Sequence, residues 1–538
     1  MSGSQDVFLR NATGLRREFG VLDTIWINLS LVGIVFSITF VAFESPLVAG
    51  DPLTGGLIAF VGMFIVGLSF SIVSILVPRT AGDYVFTSRY LHPALGFVGN
   101  AGYFVATVPM FIGITITTIE TFGFSSLFAY WGLVYHSASY INLAATLYSN
   151  IGYEFALGAV TTIIFAMLPF FGYRLYKALN KVILPLIILG VIVMFGILAF
   201  TSKSTAWARL DALATPFGNS TFAESINGMS TAPAANFSGT LALNGIYVVG
   251  FSYIISAIYV AGEVKQVQRN MPLAILGTLL ITLVMFAGGT LLLYHALGYQ
   301  FLYNAYTTTV VNFGTLSPLP AAFVPYINFF AAAISGNTAL GTFIIIVSIL
   351  QLLWYQTNAV FIGARLLLSY SFDKIMPSFM GDVSTKYHVP AKGMIVSLII
   401  GLIAGVFFVL PSASSAAFAL STAAVAIIVL FPITVVGIAM ISFRVSHKKE
   451  YEQSAVAKTY LGGGVYWFAA IFTVVYGLFT FYQYLTNPNV FGAAGSVLGY
   501  EYIFIPIVIL FVIYYISKLI NARRGVQFSK IFAEIPPE

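Results

Sequence analysis

The chain holds 538 residues, of which 59% are hydrophobic and only 8% are charged, against roughly 25% charged and 45–50% apolar residues in a soluble domain. Its mean hydropathy is +0.94. These values exclude a soluble enzyme, a disordered chain and a nucleic-acid-binding protein, and the absence of cysteine excludes disulfides and thiolate chemistry.

A bilayer-crossing helix needs about 20 mostly apolar residues. In chain order such runs lie at 22–43, 55–77, 96–119, 154–171, 182–201, 243–262, 272–297, 338–364, 393–412, 416–441, 464–486 and 501–520. Twelve spans predict an all-α integral membrane protein. Residues 1–21 form an N-terminal segment and 22–201 a first set of five spans. A polar loop at 202–242 leads to a second set at 243–441. A loop at 442–463, two further spans within 464–520 and a tail at 521–538 complete the chain. The first apolar run exceeds a signal-peptide core and is expected to stay as a span. Between Pro93 and Tyr153 the only Asp, Glu, Lys or Arg is Glu120. That stretch is too long for one crossing, so an external or interfacial helix is expected near 121–134. Residues 299–336 carry no such charge and hold Tyr299, Phe301, Tyr303, Tyr306 and Phe313. They read either as an interfacial aromatic belt or as a lid over a cavity.

Twelve spans place both termini on one side. That side receives 22 of the 24 basic residues, and only Lys203 and Arg209 fall opposite. Lys and Arg near span ends favour the cytoplasm. Both termini are therefore expected in the cytoplasm, with the chain in the plasma membrane. The net charge of +6 then needs no nucleic-acid partner.

Irregular backbone inside a bilayer is tolerated only against protein or a wet cavity, and transporters use such breaks to present amides and carbonyls to solutes. The first span reads Trp26-Ile-Asn28-Leu-Ser30-Leu-Val-Gly33-Ile-Val-Phe-Ser37. The sixth reads Asn244-Gly245-Ile-Tyr247-Val-Val-Gly250-Phe251-Ser252-Tyr253-Ile-Ile-Ser256. Both place small or polar residues at mid-span. Asn28, Ser30, Gly33, Ser37, Gly250, Phe251, Ser252, Tyr253 and Ser256 are thus candidates for holding a small-molecule substrate. Because five is odd, a second five-span unit enters the membrane inverted, giving a 5+5 repeat with two appended helices.

A zwitterion is costly to carry through hydrocarbon. Paired half-helix ends satisfy it, with amides for a carboxylate and carbonyls for an ammonium. No His-Glu-x-x-His, phosphate-binding loop or Gly-x-Ser-x-Gly is present, so no enzyme, metal or cofactor is expected. Uphill transport then draws on an ion gradient, of H+ or Na+. A polyamine or organic-cation carrier of the same fold stays open, as does a channel or scaffold that does not transport. The oligomeric state is not legible.

Three stretches carry a family resemblance. Val77-Pro78-Arg-Thr-Ala81-Gly82-Asp-Tyr84 leads to Arg89 and Gly96-Phe97. Gly262-Glu263-Val264-Lys265 leads through Arg269-Asn270 to Pro272. Ala364-Arg365 leads through Asp373-Lys374-Ile-Met376-Pro377 to Pro390. Together, in this order and at the same ends of spans two, six and eight, they resemble the amino acid–polyamine–organocation permeases over about residues 15–450. The resemblance implies discontinuous first and sixth helices, with the substrate carboxylate on amides of the first and its amino group on carbonyls of the sixth. It also implies secondary transport of amino acids by alternating access, as ion-coupled symport or as exchange. Arg89, Glu263, Arg365 and Asp373 are expected to form a cytoplasmic gating network. Some members place a lysine midway along span five in the role of a sodium ion, and residues 183–200 contain none.

Overall fold

The computed structural model describes residues 17–311, 326–384, 386–410, 425–487, 490, 497–533 and 535. Among them there is no β-strand, only an isolated bridge between Phe19 and Val264. Eleven helices among the described residues are long and apolar enough to cross a bilayer, and twelve when one bent pair counts as a single span. Residues 416–424, the start of the expected tenth span, lie outside the described residues.

The first span is that bent pair: α1 (Val21–Val32) and α2 (Ile34–Leu47) meet at 45°. Next come α3 (Pro52–Leu76), the short α4 (Gly82–Tyr90) and the third span α5 (Pro93–Val134). The surface helix α6 (Ala138–Ser149) precedes α7 (Ile151–Phe171) and α8 (Tyr173–Phe200). Capping residues set several starts. Asp51 Oδ1 accepts from Thr54 N at 2.7 Å, ahead of Pro52. Asn150 Oδ1 accepts from Gly152 N at 3.0 Å. Each satisfies an amide that a helix start leaves without an intrahelical partner.

The third span departs from the sequence-based expectation. Residues 121–134 are not a separate interfacial helix but the continuation of α5, whose 42 residues extend about 63 Å at 1.5 Å per residue. That is twice the hydrocarbon thickness, so one end projects. The helix that follows, α6, is separate and buries only Ala144. α5 carries two π-helical stretches, Ala106–Met110 around Pro109 and Ile119–Ser125, where an extra residue per turn re-aims the side chains that follow.

After a folded connection that includes α9 (Lys203–Ala214), the sixth span opens with α10 (Phe237–Phe251) and continues as 3₁₀ helix over Ser252–Glu263. Its discontinuity is this change of helix type, without an unwound segment. Then follow α11 (Val267–Leu297), α12 (Tyr299–Val311), α13 (Ile327–Ala333), α14 (Thr338–Phe372), α15 (Ala391–Val409), α16 (Val425–Ser446), α17 (Gly463–Thr486) and α18 (Val497–Arg523).

The sixth span is the axis of the bundle, with 89% of its most apolar stretch buried, against 22% for the last span. The outer helices expose Val160, Ile163, Ile192, Ile403, Val475 and Val508. So much unpaired apolar surface suits lipid and not water. Phe301 and Tyr306 on α12 are fully buried. They belong to a cap that packs α12 on the 202–242 connection, where Asn304 Nδ2 donates to Asn227 O at 3.0 Å and Trp207 Nε1 donates to Leu297 O at 2.9 Å. That burial excludes a lipid-facing belt for these two rings.

Candidate functional site

A cavity of about 430 Å³, part of it open, lies beside the bend in the first span. The bend is set by Gly33, the C-cap of α1, at φ 63° and ψ 59°. Such left-handed geometry costs other residues about 1–2 kcal/mol. The first turn of α2 contributes Gly33, Phe36 and Ser37 to the wall, where a helix start leaves amides without intrahelical partners. Gln351 Oε1 on α14 accepts one of them, Val35 N, at 3.1 Å. Ser37 Oγ donates back to Val32 O at 2.8 Å.

The sixth span contributes Val249, Gly250 and Tyr253. Gly250 is a packing requirement, since a Cβ there would sit 2.4 Å from Phe286 Cε2. α5 adds Phe111, Ile114, Thr115 and Thr118, and α14 adds Leu352 and Tyr355. The hydroxyls of Tyr253 and Tyr355 are buried with no hydrogen-bond partner among the described residues. A buried, unpaired hydroxyl costs about 1–3 kcal/mol, a cost that a bound polar ligand removes. Among the described residues no Asp, Glu, Lys or Arg lines the cavity.

Of the nine residues singled out in the sequence, Gly33, Ser37, Gly250 and Tyr253 face this cavity. The other five hold the structure around it. Asn28 ties α1 to the sixth span: its Oδ1 accepts from Ala257 N at 2.7 Å and its Nδ2 donates to Thr278 Oγ1 at 3.4 Å. Ser30 lines a smaller neighbouring void between α1, α8 and α14 and donates to Ile27 O at 2.8 Å. Phe251 stacks on Phe286 at 5.8 Å. Ser252 Oγ donates to Val248 O at 2.6 Å. Ser256 Oγ donates to Tyr253 O at 2.6 Å and lies 2.5 Å from Tyr103 OH. Sequence reading missed Thr115, Thr118 and Tyr355. The run Thr115-Ile-Thr-Thr118 was a visible polar signal, but its orientation depends on the preceding π turn. Tyr355 stands next to Gln356-Thr357-Asn358, a second polar signal inside an apolar span.

At one end of the bundle the four expected gating residues form two buried ion pairs. Arg89 Nη1 and Nη2 each reach Asp373 at 2.6 Å, and Tyr84 OH also donates to that carboxylate. Arg365 Nε and Nη2 reach Glu263 at 2.6 and 3.1 Å. Arg365 Nη1 donates to Phe361 O at 3.0 Å. The amides of Glu18 and Phe19 donate to Glu263 O at 2.9 and 3.0 Å, so the N-terminal segment straps this end of the sixth span. Burial preserves the Coulomb attraction that water would screen, at the cost of desolvation.

Residues 23–530 match the model of the amino acid permease family. Over 179 residues the chain is 26% identical to the branched-chain amino acid permease BcaP of Lactococcus lactis subsp. cremoris. That alignment covers 33% of this chain and 34% of the relative, so the match spans about a third of each. With the match running nearly end to end over a bundle of apolar helices bent beside a central cavity, the chain belongs to the amino acid permease family and is a multi-pass membrane protein.

Proposed function

We propose that the protein is a secondary transporter that carries a neutral, apolar amino acid across the cell membrane by alternating access. The observation that carries this reading is the wall of the cavity. It joins a helix break and two unpartnered tyrosine hydroxyls to an apolar remainder of Phe36, Phe111, Ile114, Val249 and Leu352, with no charged side chain. Backbone amides at the start of α2 serve the carboxylate. The hydroxyls and nearby carbonyls serve the ammonium, and the apolar wall serves the side chain. The name of the Lactococcus relative accords with a branched side chain.

The basic-residue asymmetry supports a cytoplasmic position for the end with the ion pairs, together with both termini. The ion pairs then form the inner gate, and the α9–α12 cap covers the outer mouth. The chain has no nucleotide site, so accumulation rests on a gradient of H+ or Na+, or on exchange. A polyamine carrier needs a carboxylate facing the solute, and the described wall offers none. Counterflow in proteoliposomes decides. Unlabelled leucine, isoleucine or valine inside should drive saturable uptake of labelled leucine, whereas lysine, glutamate and spermidine should not. Conductive flux without counterflow would mean a channel, and neither activity a scaffold; both would overturn the proposal.

A further inference from the structure

Beside the two ion pairs, one more buried carboxylate stands at the same end of the bundle among the described residues. Asp83, near the start of α4, is 2% exposed. Asn100 Nδ2 on α5 donates to both of its oxygens, at 3.1 and 2.9 Å. Tyr259 OH, on the 3₁₀ part of the sixth span, donates to Oδ2 at 3.3 Å. Asn100 Oδ1 in turn accepts from Tyr370 OH on α14 at 2.6 Å. The carboxylate thus joins α4, α5 and the sixth span through neutral donors alone.

The titratable and charged groups on the elements packed around it are accounted for. Tyr103, Tyr259 and Tyr370 are the phenols that face it. Arg89 pairs with Asp373, and Arg365 with Glu263. Arg444 on α16 lies over the Tyr451 ring at 4.1 Å. Arg79, in the turn before α4, makes no ion pair with it among the described residues. A buried carboxylate without a cation favours the protonated form. Burial raises the Asp83 carboxyl to about 6, with the Asn100, Tyr84 and Tyr259 hydrogen bonds holding it back in part.

The position relative to the cavity gives this group a role. Tyr253 in the cavity wall lies 5.7 Å from the Tyr103 ring, and Tyr103 lies 4.5 Å from the Tyr259 ring. From Tyr253 to Tyr259 the sixth span advances about 12 Å at 2.0 Å per residue. One layer of tyrosines therefore separates the cavity from Asp83.

We infer that Asp83 is the proton-binding site that couples the gradient to the inner gate. As an acceptor the carboxylate holds α4 to α5 and the sixth span, and the cavity is shut from the cytoplasm. A proton from water on the outer side reaches Asp83 and forms an O–H bond there. The protonated group is a donor facing the hydrogens of Asn100 and Tyr259, so at least one link turns away and the gate loosens. Once open to cytoplasmic water the carboxyl regains its ordinary acidity. The O–H bond breaks, the proton leaves to water, and the links re-form. The inference rests on the permease reading and selects H+ over Na+.

Two measurements on the purified full chain test it. In proteoliposomes, Asp83→Asn should keep leucine counterflow within about threefold of wild type while losing accumulation driven by an inside-alkaline pH gradient by about tenfold or more, because exchange needs no net proton movement. Asp83→Asn that accumulates leucine as wild type does would overturn the inference. Infrared difference spectra across a pH jump read proton binding without substrate. One protonated-carboxyl band should titrate in wild type, vanish in Asp83→Asn and return in Asp83→Glu. Should Asp83→Asn fail to insert, Tyr259→Phe serves instead: loss of a donor to the ionised form should move that titration to higher pH, and an unmoved midpoint overturns the assignment. Absent leucine counterflow in wild type counts against the permease reading, while the infrared arm still decides Asp83.

Discussion

At the scale of single residues, the two unpartnered hydroxyls in the cavity lead to the sharpest expectation. Tyr253→Phe and Tyr355→Phe remove groups that have no hydrogen-bond partner among the described residues, so the empty protein should lose no stability. If each hydroxyl binds the solute, its loss costs about 0.5–1.5 kcal/mol, a rise in half-saturation of roughly two- to tenfold. Transport kinetics beside thermal unfolding separates this outcome from a folding defect. Asp83 gives a pH signature. Its folded-state value of about 6 stands above the ordinary 3.8. Its stabilising contribution is therefore complete below about pH 4 and disappears as pH rises through 6, a change of about 3 kcal/mol. The unfolding temperature of Asp83→Asn relative to wild type should climb across that window, and parallel curves would contradict the sign. Residue-scale legibility was uneven. Gly33 and Ser37 stood out because small and polar residues are conspicuous in apolar runs. Thr115 and Tyr355 reach the cavity through helix geometry that residue type does not encode.

At the scale of elements, two glycines control the geometry. Gly33→Ala places a Cβ in left-handed backbone at φ +63°, at about 1–2 kcal/mol. The helix can relieve that by straightening, so leucine transport should fall more than thermal stability does. Gly250→Ala acts by contact, since its Cβ meets the Phe286 ring. Overpacking of that kind costs about 1–3 kcal/mol, and the pair Gly250→Ala with Phe286→Leu should recover most of the lost unfolding temperature. Spans are legible because twenty apolar residues have few other uses. The length of α5 was not, because a helix that leaves the bilayer can continue as helix in protein or water. Its π turns at Ala106–Met110, which holds Pro109, and at Ile119–Ser125 leave no periodic signature.

At the scale of the whole molecule, the two buried ion pairs hold separate spans together. Glu263 lies on the sixth span and Arg365 on α14, both buried. Removing one member strands the other, so Arg365→Ala should cost about 3–5 kcal/mol, with the Glu263→Gln, Arg365→Met double variant recovering part of it. A thermal-unfolding cycle measures the coupling. The resemblance in the sequence identified these four residues, and the structure supplies their pairing. The cap of α9 and α12 was legible only as one of two alternatives, because an uncharged aromatic loop reads alike whether it faces lipid or is buried.

The central claim is that the void beside the Gly33 bend holds a neutral amino acid. The chain has no cysteine, so Ser37→Cys in the cavity wall places a single thiol there. The rate at which a small water-soluble methanethiosulfonate modifies it, with and without leucine, tests the claim most directly. Saturating leucine should slow labelling several-fold, while lysine and spermidine leave it unchanged. Labelling that ignores leucine, in protein that still carries out leucine counterflow, would place the substrate elsewhere.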